Sequence, residues 1–161
     1  MKKGFSLIEI LVSSVILIVL LGGILAVLRV ANLSYEVGGG LLDLQQGARQ
    51  VMDGMIREVR QSSPASLTVD GNETRLDFYM PNISNPISYY LADNQIIREH
   101  PSGNTRVLAN DVSNMTFCCL GGANCTDCST SRLLQIQVQV NKTVRDKPVS
   151  FNLTEKVKLR N

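Results

Sequence analysis

A single acidic residue, Glu9, stands at the start of a long uncharged segment. Two lysines, Lys2 and Lys3, precede it, and residues 10–28 behind it carry no charge. A carboxylate inside an apolar helix of membrane length costs about 2.5–3.5 kcal/mol on insertion scales, so such a residue marks a functional site by default. Glu9 therefore predicts a cationic partner, and the chemistry it offers is charge pairing rather than catalysis.

Four cysteines form the second group of reactive side chains, and they fall within residues 118–128. Four thiolates could hold a tetrahedral zinc ion, but two adjacent cysteines are an unusual ligand spacing. Four cysteines in disulfides allow three pairings, of which the bridge between neighbours is strained. Two pairings stay open: Cys118–Cys125 with Cys119–Cys128, or Cys118–Cys128 with Cys119–Cys125.

Little else in the chain could do enzyme chemistry. The one histidine, His100, stands beside a turn proline, and no glycine-rich phosphate loop follows a strand. Without Lys2 and Lys3 the 14 basic residues equal the 14 acidic ones, and no basic run marks a nucleic-acid surface. The sequence predicts no enzyme, no catalytic residue, no cofactor or metal, and no specific nucleic-acid partner.

The segment that positions Glu9 is long enough to anchor the chain in a membrane. At 1.5 Å per residue, the 19 residues from 10 to 28 nearly cross a hydrocarbon core of about 30 Å. Lys2 and Lys3 precede this segment, and only Arg29 follows it closely. Because the side with more positive charge stays in the cytoplasm, we expect the N-terminus to be cytoplasmic and the chain after residue 29 to lie outside. An outward location favours disulfides over free thiols.

Two simpler interpretations of this segment fit less well. A cleaved secretory signal has an apolar region of about 7–15 residues and a small-x-small cleavage site, and this run is longer and lacks that site. A plain single-pass anchor leaves Glu9 unexplained.

Behind the anchor, apolar residues recur at spacings of three and four, which predicts an amphipathic helix up to the Ser62-Ser63-Pro64 stop. Glycines at 22–23 and 38–40 interrupt these stretches. Each glycine costs about 1 kcal/mol of helix propensity relative to alanine. The three consecutive glycines at 38–40 therefore predict either a bend in the helix or a harmless local break. The stripe comprises Leu33, Val37, Leu41, Leu44, Ala48, Val51 and Met55, widened by Met52, Ile56 and Val59.

After Pro64 the pattern changes to short β-prone runs between turn signals. A helix laid across an antiparallel sheet buries the apolar faces of both, so the predicted fold class is α+β. The cysteines are placed in a loop behind residues 115–117. Strands are predicted at residues 67–69, 75–80, 88–91, 95–99, 105–108, 115–117, 134–140 and 149–159. Turns are predicted at Asp70-Gly71-Asn72 and Asp93-Asn94, and a loop at Asp146-Lys147-Pro148.

The N-terminal residues Lys2 to Glu9 (KKGFSLIE) resemble the class III signal of type IV pilins and type II secretion pseudopilins. The resemblance implies that a prepilin peptidase cuts after Gly4 and methylates the new amine of Phe5. It also implies that Glu9 pairs with the terminal amine of a neighbouring subunit during assembly. The cut would create the missing cation, since a paired buried charge costs far less than a lone one.

The rest of the chain resembles the PilW/GspJ-type minor pilins and pseudopilins through several short segments. The resemblance implies a pilin-like headgroup and a low-abundance subunit that primes a fibre, beneath a tip subunit lacking the acidic residue. These segments are Tyr89-Tyr90-Leu91, Ile97-Arg98, Arg106-Val107-Leu108-Ala109, Val112, Phe117 and Leu159-Arg160-Asn161.

Four regions follow from these observations: a leader (1–4), a transmembrane and assembly helix (5–29), an amphipathic helix (30–63) and a β-rich headgroup (64–161) with a Cys loop at 118–128. The loop either contacts a partner subunit or staples a Gly-rich insertion.

The resemblance implies a bacterial inner-membrane protein with a periplasmic headgroup, which later enters a pilus or pseudopilus near its tip. Expected partners are the prepilin peptidase, other pilins or pseudopilins, the assembly platform and membrane lipid. Three functions stay open: a minor pilin that initiates a type IV pilus, a minor pseudopilin of type II secretion, and a membrane-anchored binding domain unrelated to fibres.

Overall fold

One long helix precedes all the strands. The computed structural model describes residues 6–81 and 83–160, and its helix α1 runs from Leu7 to Val59 without a break at either glycine group. A 3₁₀ turn, Pro64–Ser66, follows after the predicted stop. The chain divides into two compact units, Met1–Gly39 and Gly40–Asn161.

The strands form two antiparallel sheets. The first has the order β1-β2-β3-β4-β5, and the second has the order β6-β7-β8. Every neighbour is the next strand in the sequence, and the connections range from two residues, at 93–94 and 145–146, to the twelve residues 121–132 between β6 and β7. The strands are β1 (Leu67–Val69), β2 (Arg75–Phe78), β3 (Ile87–Ala92), β4 (Gln95–Glu99), β5 (Thr105–Ala109), β6 (Val112–Leu120), β7 (Leu133–Val144) and β8 (Lys147–Lys158).

The core of the second unit lies between the C-terminal part of α1 and the sheets. The helix buries residues at spacings of three and four, as the apolar stripe predicted. The buried positions differ slightly from that stripe, because Met52 and Val59 are buried whereas Val51 is only half-buried. Phe78 and Tyr89 stack at 6.0 Å between ring centroids. The buried helix residues are Leu44, Ala48, Met52, Met55 and Val59.

The α+β fold class with antiparallel strands is confirmed. Two strands are clearly longer than predicted: β7 runs from Leu133 to Val144, and β6 runs from Val112 to Leu120, where Cys118 and Cys119 pair with Gln135 and Leu134 of β7. The prediction that both cysteines lie in a loop was therefore wrong. The alternation of buried residues continues through Met115, Phe117 and Cys119, and pairing with the long strand β7 extends β6 to Leu120.

Two turns also differ from the sequence prediction. Between β7 and β8 only Arg145 and Asp146 turn, with φ of 45° and 62°, and residues 147–148 already belong to β8. Between β1 and β2 the positive φ falls on Glu73 rather than on the Asp70-Gly71 pair. Asp70 instead accepts hydrogen bonds from the backbone N–H groups of Thr74 and Arg75 at 2.7 and 2.8 Å, which closes this longer loop.

Candidate functional site

The first turn of α1 carries Glu9 as an exposed carboxylate. The backbone N–H groups of Glu9 and Ile10 donate to the carbonyl of Ser6 at 3.0 and 3.3 Å, which starts the helix just ahead of Glu9. An acidic side chain in a first helical turn also interacts favourably with the helix dipole. The two other predicted residues of this site, Gly4 and Phe5, lie outside the described residues.

Two serines one turn further along are additional polar groups that the sequence reasoning did not single out. Ser13 Oγ donates to the carbonyl of Glu9 at 2.7 Å, and Ser14 Oγ donates to that of Leu11 at 2.8 Å. Bonds of this kind satisfy a hydroxyl inside an apolar helix without any outside partner. The Glu9 carboxylate differs from these hydroxyl groups, because it makes no hydrogen bond or ion pair with any described residue. It therefore still needs a partner.

The helix around this site exposes its apolar side chains on all faces. Residues 6–32 are exposed throughout, and the helix is long and apolar enough to cross a membrane. A leucine or isoleucine gains about 1.5–3 kcal/mol when it leaves water. This surface needs a lipid or protein environment, and Glu9 enters that environment with it.

The four cysteines form two disulfides. Cys118 is bonded to Cys125 and Cys119 to Cys128, the first of the two pairings that the spacing left open. No cysteine is free, so no thiolate is available for zinc. The second bridge is buried and the first is half-buried. Cys119 N–H donates to the carbonyl of Cys125 at 2.8 Å, which holds the loop against the end of β6.

Asp127 organises the tip of the same loop. Its carboxylate accepts hydrogen bonds from Ser129 Oγ at 2.7 Å and from the Ser129 backbone N–H at 3.2 Å. These bonds lower the pKa of the Asp127 carboxyl. The loop is therefore a structured element rather than a loose insertion.

A cluster of polar side chains links α1 to the larger sheet. Glu58 Oε2 accepts hydrogen bonds from Tyr89 Oη at 2.8 Å and Arg98 Nε at 3.0 Å. Burial, together with the charge of Glu58, raises the pKa of the Tyr89 phenol well above its usual range. Burial opposes the charge of Arg98, but its hydrogen bond to Glu58 and that carboxylate's charge still raise the Arg98 pKa.

Sequence reasoning missed this cluster because its members are 31 and 40 residues apart. The available signal was weak: Glu58 stands beside the apolar stripe, where a carboxylate needs a partner. His100 is not part of it. The Nδ1 atom of His100 lies 3.3 Å from the carbonyl of Pro86, in the half-buried bend after β4.

Comparison with known proteins addresses the N-terminal segment. Residues 1–25 match the prokaryotic N-terminal methylation motif, a span that includes Gly4, Phe5 and Glu9. No curated protein matches the chain. With this signal, a long exposed apolar helix and antiparallel sheets behind it, the chain is type IV pilin-like in both its N-terminal signal and its architecture.

Proposed function

We propose that the protein is a minor pilin that helps to initiate assembly of a type IV pilus, and so supports adhesion, twitching motility or DNA uptake. The observation that carries this proposal is the position of Glu9. Its carboxylate is exposed in the first turn of α1, at the start of an apolar segment that is exposed throughout (6–32), and within residues that match the methylation motif. A non-enzymatic, structural role follows.

The proposed chemistry of assembly is charge pairing. Prepilin peptidase cuts between Gly4 and Phe5 and methylates the new amine, which stays cationic. That cation pairs with Glu9 of a neighbouring subunit. Since a lone buried charge is far more costly than a paired one, the pair favours entry into the fibre in the correct axial register.

The exposed helix supports the proposed route. Lys2 and Lys3 hold the N-terminus in the cytoplasm, lipid covers residues 10–28 before assembly, and neighbouring helices cover them afterwards. The headgroup then lies on the outer side of the inner membrane, where two disulfides are chemically stable. The assembly platform and the other pilins are the expected partners.

The choice of a minor, priming subunit rests on the resemblance of the headgroup segments to PilW/GspJ-type proteins. A pseudopilin of type II secretion has the same signal and the same assembly chemistry. Deletion of the gene separates the two: loss of surface pili with intact secretion supports the pilin, and the reverse result assigns the chain to secretion.

The proposal is tested first at the N-terminus. Mass spectrometry of the protein extracted from membranes should find a chain that begins with N-methylated Phe5. An intact Met1, or a start at another residue, contradicts the pilin proposal and favours a membrane-anchored binding domain unrelated to fibres.

A second test replaces the charge. Glu9→Ala should insert and be cut normally but be absent from sheared fibres, whereas Glu9→Asp keeps the charge and should enter at least in part. Ser13→Ala is a matched control, because the Ser13 hydroxyl bonds within its own helix. Normal incorporation of Glu9→Ala refutes the role of the carboxylate.

A further inference from the structure

A groove in the headgroup lies between α1 and the outer strand of the larger sheet. Its volume is about 510 Å³. On one side the helix contributes Gly47, Gln50 and Gly54, and on the other side β4 and β5 contribute Arg98 and Arg106. The groove is open to solvent and belongs entirely to the second compact unit.

The charges in this groove do not balance. Arg98 and Arg106 are direct cross-strand partners in the β4–β5 ladder, so both side chains project from the same face of the sheet. Like charges in this position repel each other. Glu58 is the carboxylate of the groove, and its Oε2 atom is already engaged by Arg98 and Tyr89.

Arg106 is the cation of the groove that Glu58 does not neutralise. Its guanidinium makes no hydrogen bond or ion pair with any residue in the described parts of the chain. A group that is exposed, cationic and close to a second arginine attracts an anion, and a planar guanidinium fits a carboxylate with two parallel hydrogen bonds.

The backbone beside Arg106 is also unpaired. β5 is the last strand of its sheet and pairs with β4 on one side, while no described strand pairs with its other side. Thr105, Arg106 and Val107 are all exposed, and Val107 is 47% accessible. Such an edge offers N–H and C=O groups to an added strand.

The helix leaves room for such a strand. A Cβ atom placed on Gly47 or on Gly54 would meet nothing within 4 Å. Both glycines line the same groove as Arg106 and Val107 of β5, and an added strand would lie about 4.8 Å beyond β5. The free edge, the open space and the unbalanced cation therefore lie at one place.

We infer that this groove docks an extended, acidic segment of a neighbouring fibre subunit, which adds to the edge of β5 and places a carboxylate on Arg106. The identity of the partner as a fibre subunit rests on the proposed function. The binding surface itself does not, because it depends only on the headgroup.

The inference is tested with the full-length protein in detergent micelles and a short fluorescent peptide of alternating threonine and glutamate. Fluorescence anisotropy should show saturable binding, about fivefold weaker for Arg106→Gln and for a peptide with glutamine in place of glutamate. Arg132→Gln, an exposed arginine outside the groove, is the matched control and should bind like the unmodified protein.

Two N-methylated peptides test the edge of β5. One is methylated on odd-numbered and the other on even-numbered backbone amides, so only one of them loses the hydrogen bonds to the edge. Loss of binding by one peptide and not the other supports strand addition. Equal binding by both, or unchanged affinity of Arg106→Gln, overturns the inference.

The same binding measurement is repeated with two phosphate-bearing anions, to test whether the groove is a phosphate site instead. Binding of oligodeoxythymidylate or of phosphatidylglycerol vesicles that requires Arg106, without binding of the peptide, overturns the proposal in favour of a phosphate site. In producing cells, Arg106→Glu should be cut at Gly4 like the native chain yet be depleted from fibres. If the native protein is not cleaved after Gly4, only the proposed function is contradicted, because peptide binding to the groove does not depend on that cleavage.

Discussion

Glu58 near the end of α1 accepts a hydrogen bond of 2.8 Å from Tyr89 Oη in the middle of β3. Arg98 of β4 donates to the same carboxylate oxygen at 3.0 Å, so one acidic side chain joins the helix to two neighbouring strands. Tyr89 is buried, and its ring also stacks on Phe78. This cluster connects the helix to the larger sheet through hydrogen bonds and an ion pair.

Loss of the phenol hydroxyl should weaken this link. Tyr89→Phe keeps the ring but removes the donor, and we expect the free energy of unfolding to fall by about 1.5–3 kcal/mol, the usual range for a hydrogen bond to a charged group. Urea unfolding followed by circular dichroism measures it. Tyr79→Phe is the control, because the Tyr79 side chain is 47% exposed and should change little. Equal effects of both substitutions would argue against the role of Glu58.

The same hydroxyl predicts an alkaline limit of stability. Burial and Glu58 raise the pKa of Tyr89 above its ordinary value near 10. Between that value and the higher one, the unfolded chain releases the proton while the folded chain retains it. The contribution to stability is therefore complete below about pH 10 and decreases as the pH rises further.

Comparison of the native protein with Tyr89→Phe isolates this effect. The free energy of unfolding should decline more steeply above about pH 10 in the native protein, so that the two curves converge. Parallel curves across this range would mean that Tyr89 titrates alike in both states.

A close approach between α1 and the end of β7 predicts opposite effects for two glycines. A Cβ atom on Gly40 would lie 2.8 Å from Val144 Cγ2, whereas one on Gly47 meets nothing within 4 Å. Gly47→Ala should raise the free energy of unfolding by up to about 1 kcal/mol through helix propensity. Gly40→Ala should lower it by about 1 kcal/mol or more, because valine has little rotamer freedom to move aside.

A double-mutant cycle checks the cause. In a Val144→Ala background the methyl group that obstructs residue 40 is gone, so Gly40→Ala should become stabilising. Continued destabilisation there would place the cost elsewhere than at Val144.

The two disulfides should differ in accessibility. Cys119 and Cys128 are each 2% exposed, while Cys118 and Cys125 are half-buried. Under mild reduction, alkylation mapped by mass spectrometry should label Cys118 and Cys125 first. Labelling in the reverse order would contradict the burial of the second bridge.

Removal of each bridge should also cost stability. Loops this short correspond to about 2.5 kcal/mol in the chain-entropy treatment. Cys118→Ala with Cys125→Ala should cost about that amount, and Cys119→Ala with Cys128→Ala should cost more because buried sulfur contacts are lost as well. The free energy of unfolding of each double variant provides the measurement.

Local patterns predicted much of the fold. The spacing of Leu44, Ala48 and Met55 marked the buried face of the helix, and alternation marked the β7 strand, because burial of one face imposes the period of the element on the sequence. The Asp93-Asn94 turn was visible as well, and both residues have positive φ. Strand ends were less predictable, as Cys118 and Cys119 show, since ladder pairing and not composition sets them.

The sequence by itself determined the nature of the N-terminal segment: a processing signal that ends in the charged residue Glu9, and behind it an apolar run of membrane length. These are contiguous features, so their meaning does not depend on how the chain folds. Only the tertiary structure decided which cysteines are bonded, that Glu58 meets Tyr89 and Arg98, and that Arg106 faces an open groove with no partner among the described residues. Those relationships depend on strand register and on the packing of the helix across the sheet, which bring together side chains that no local period connects.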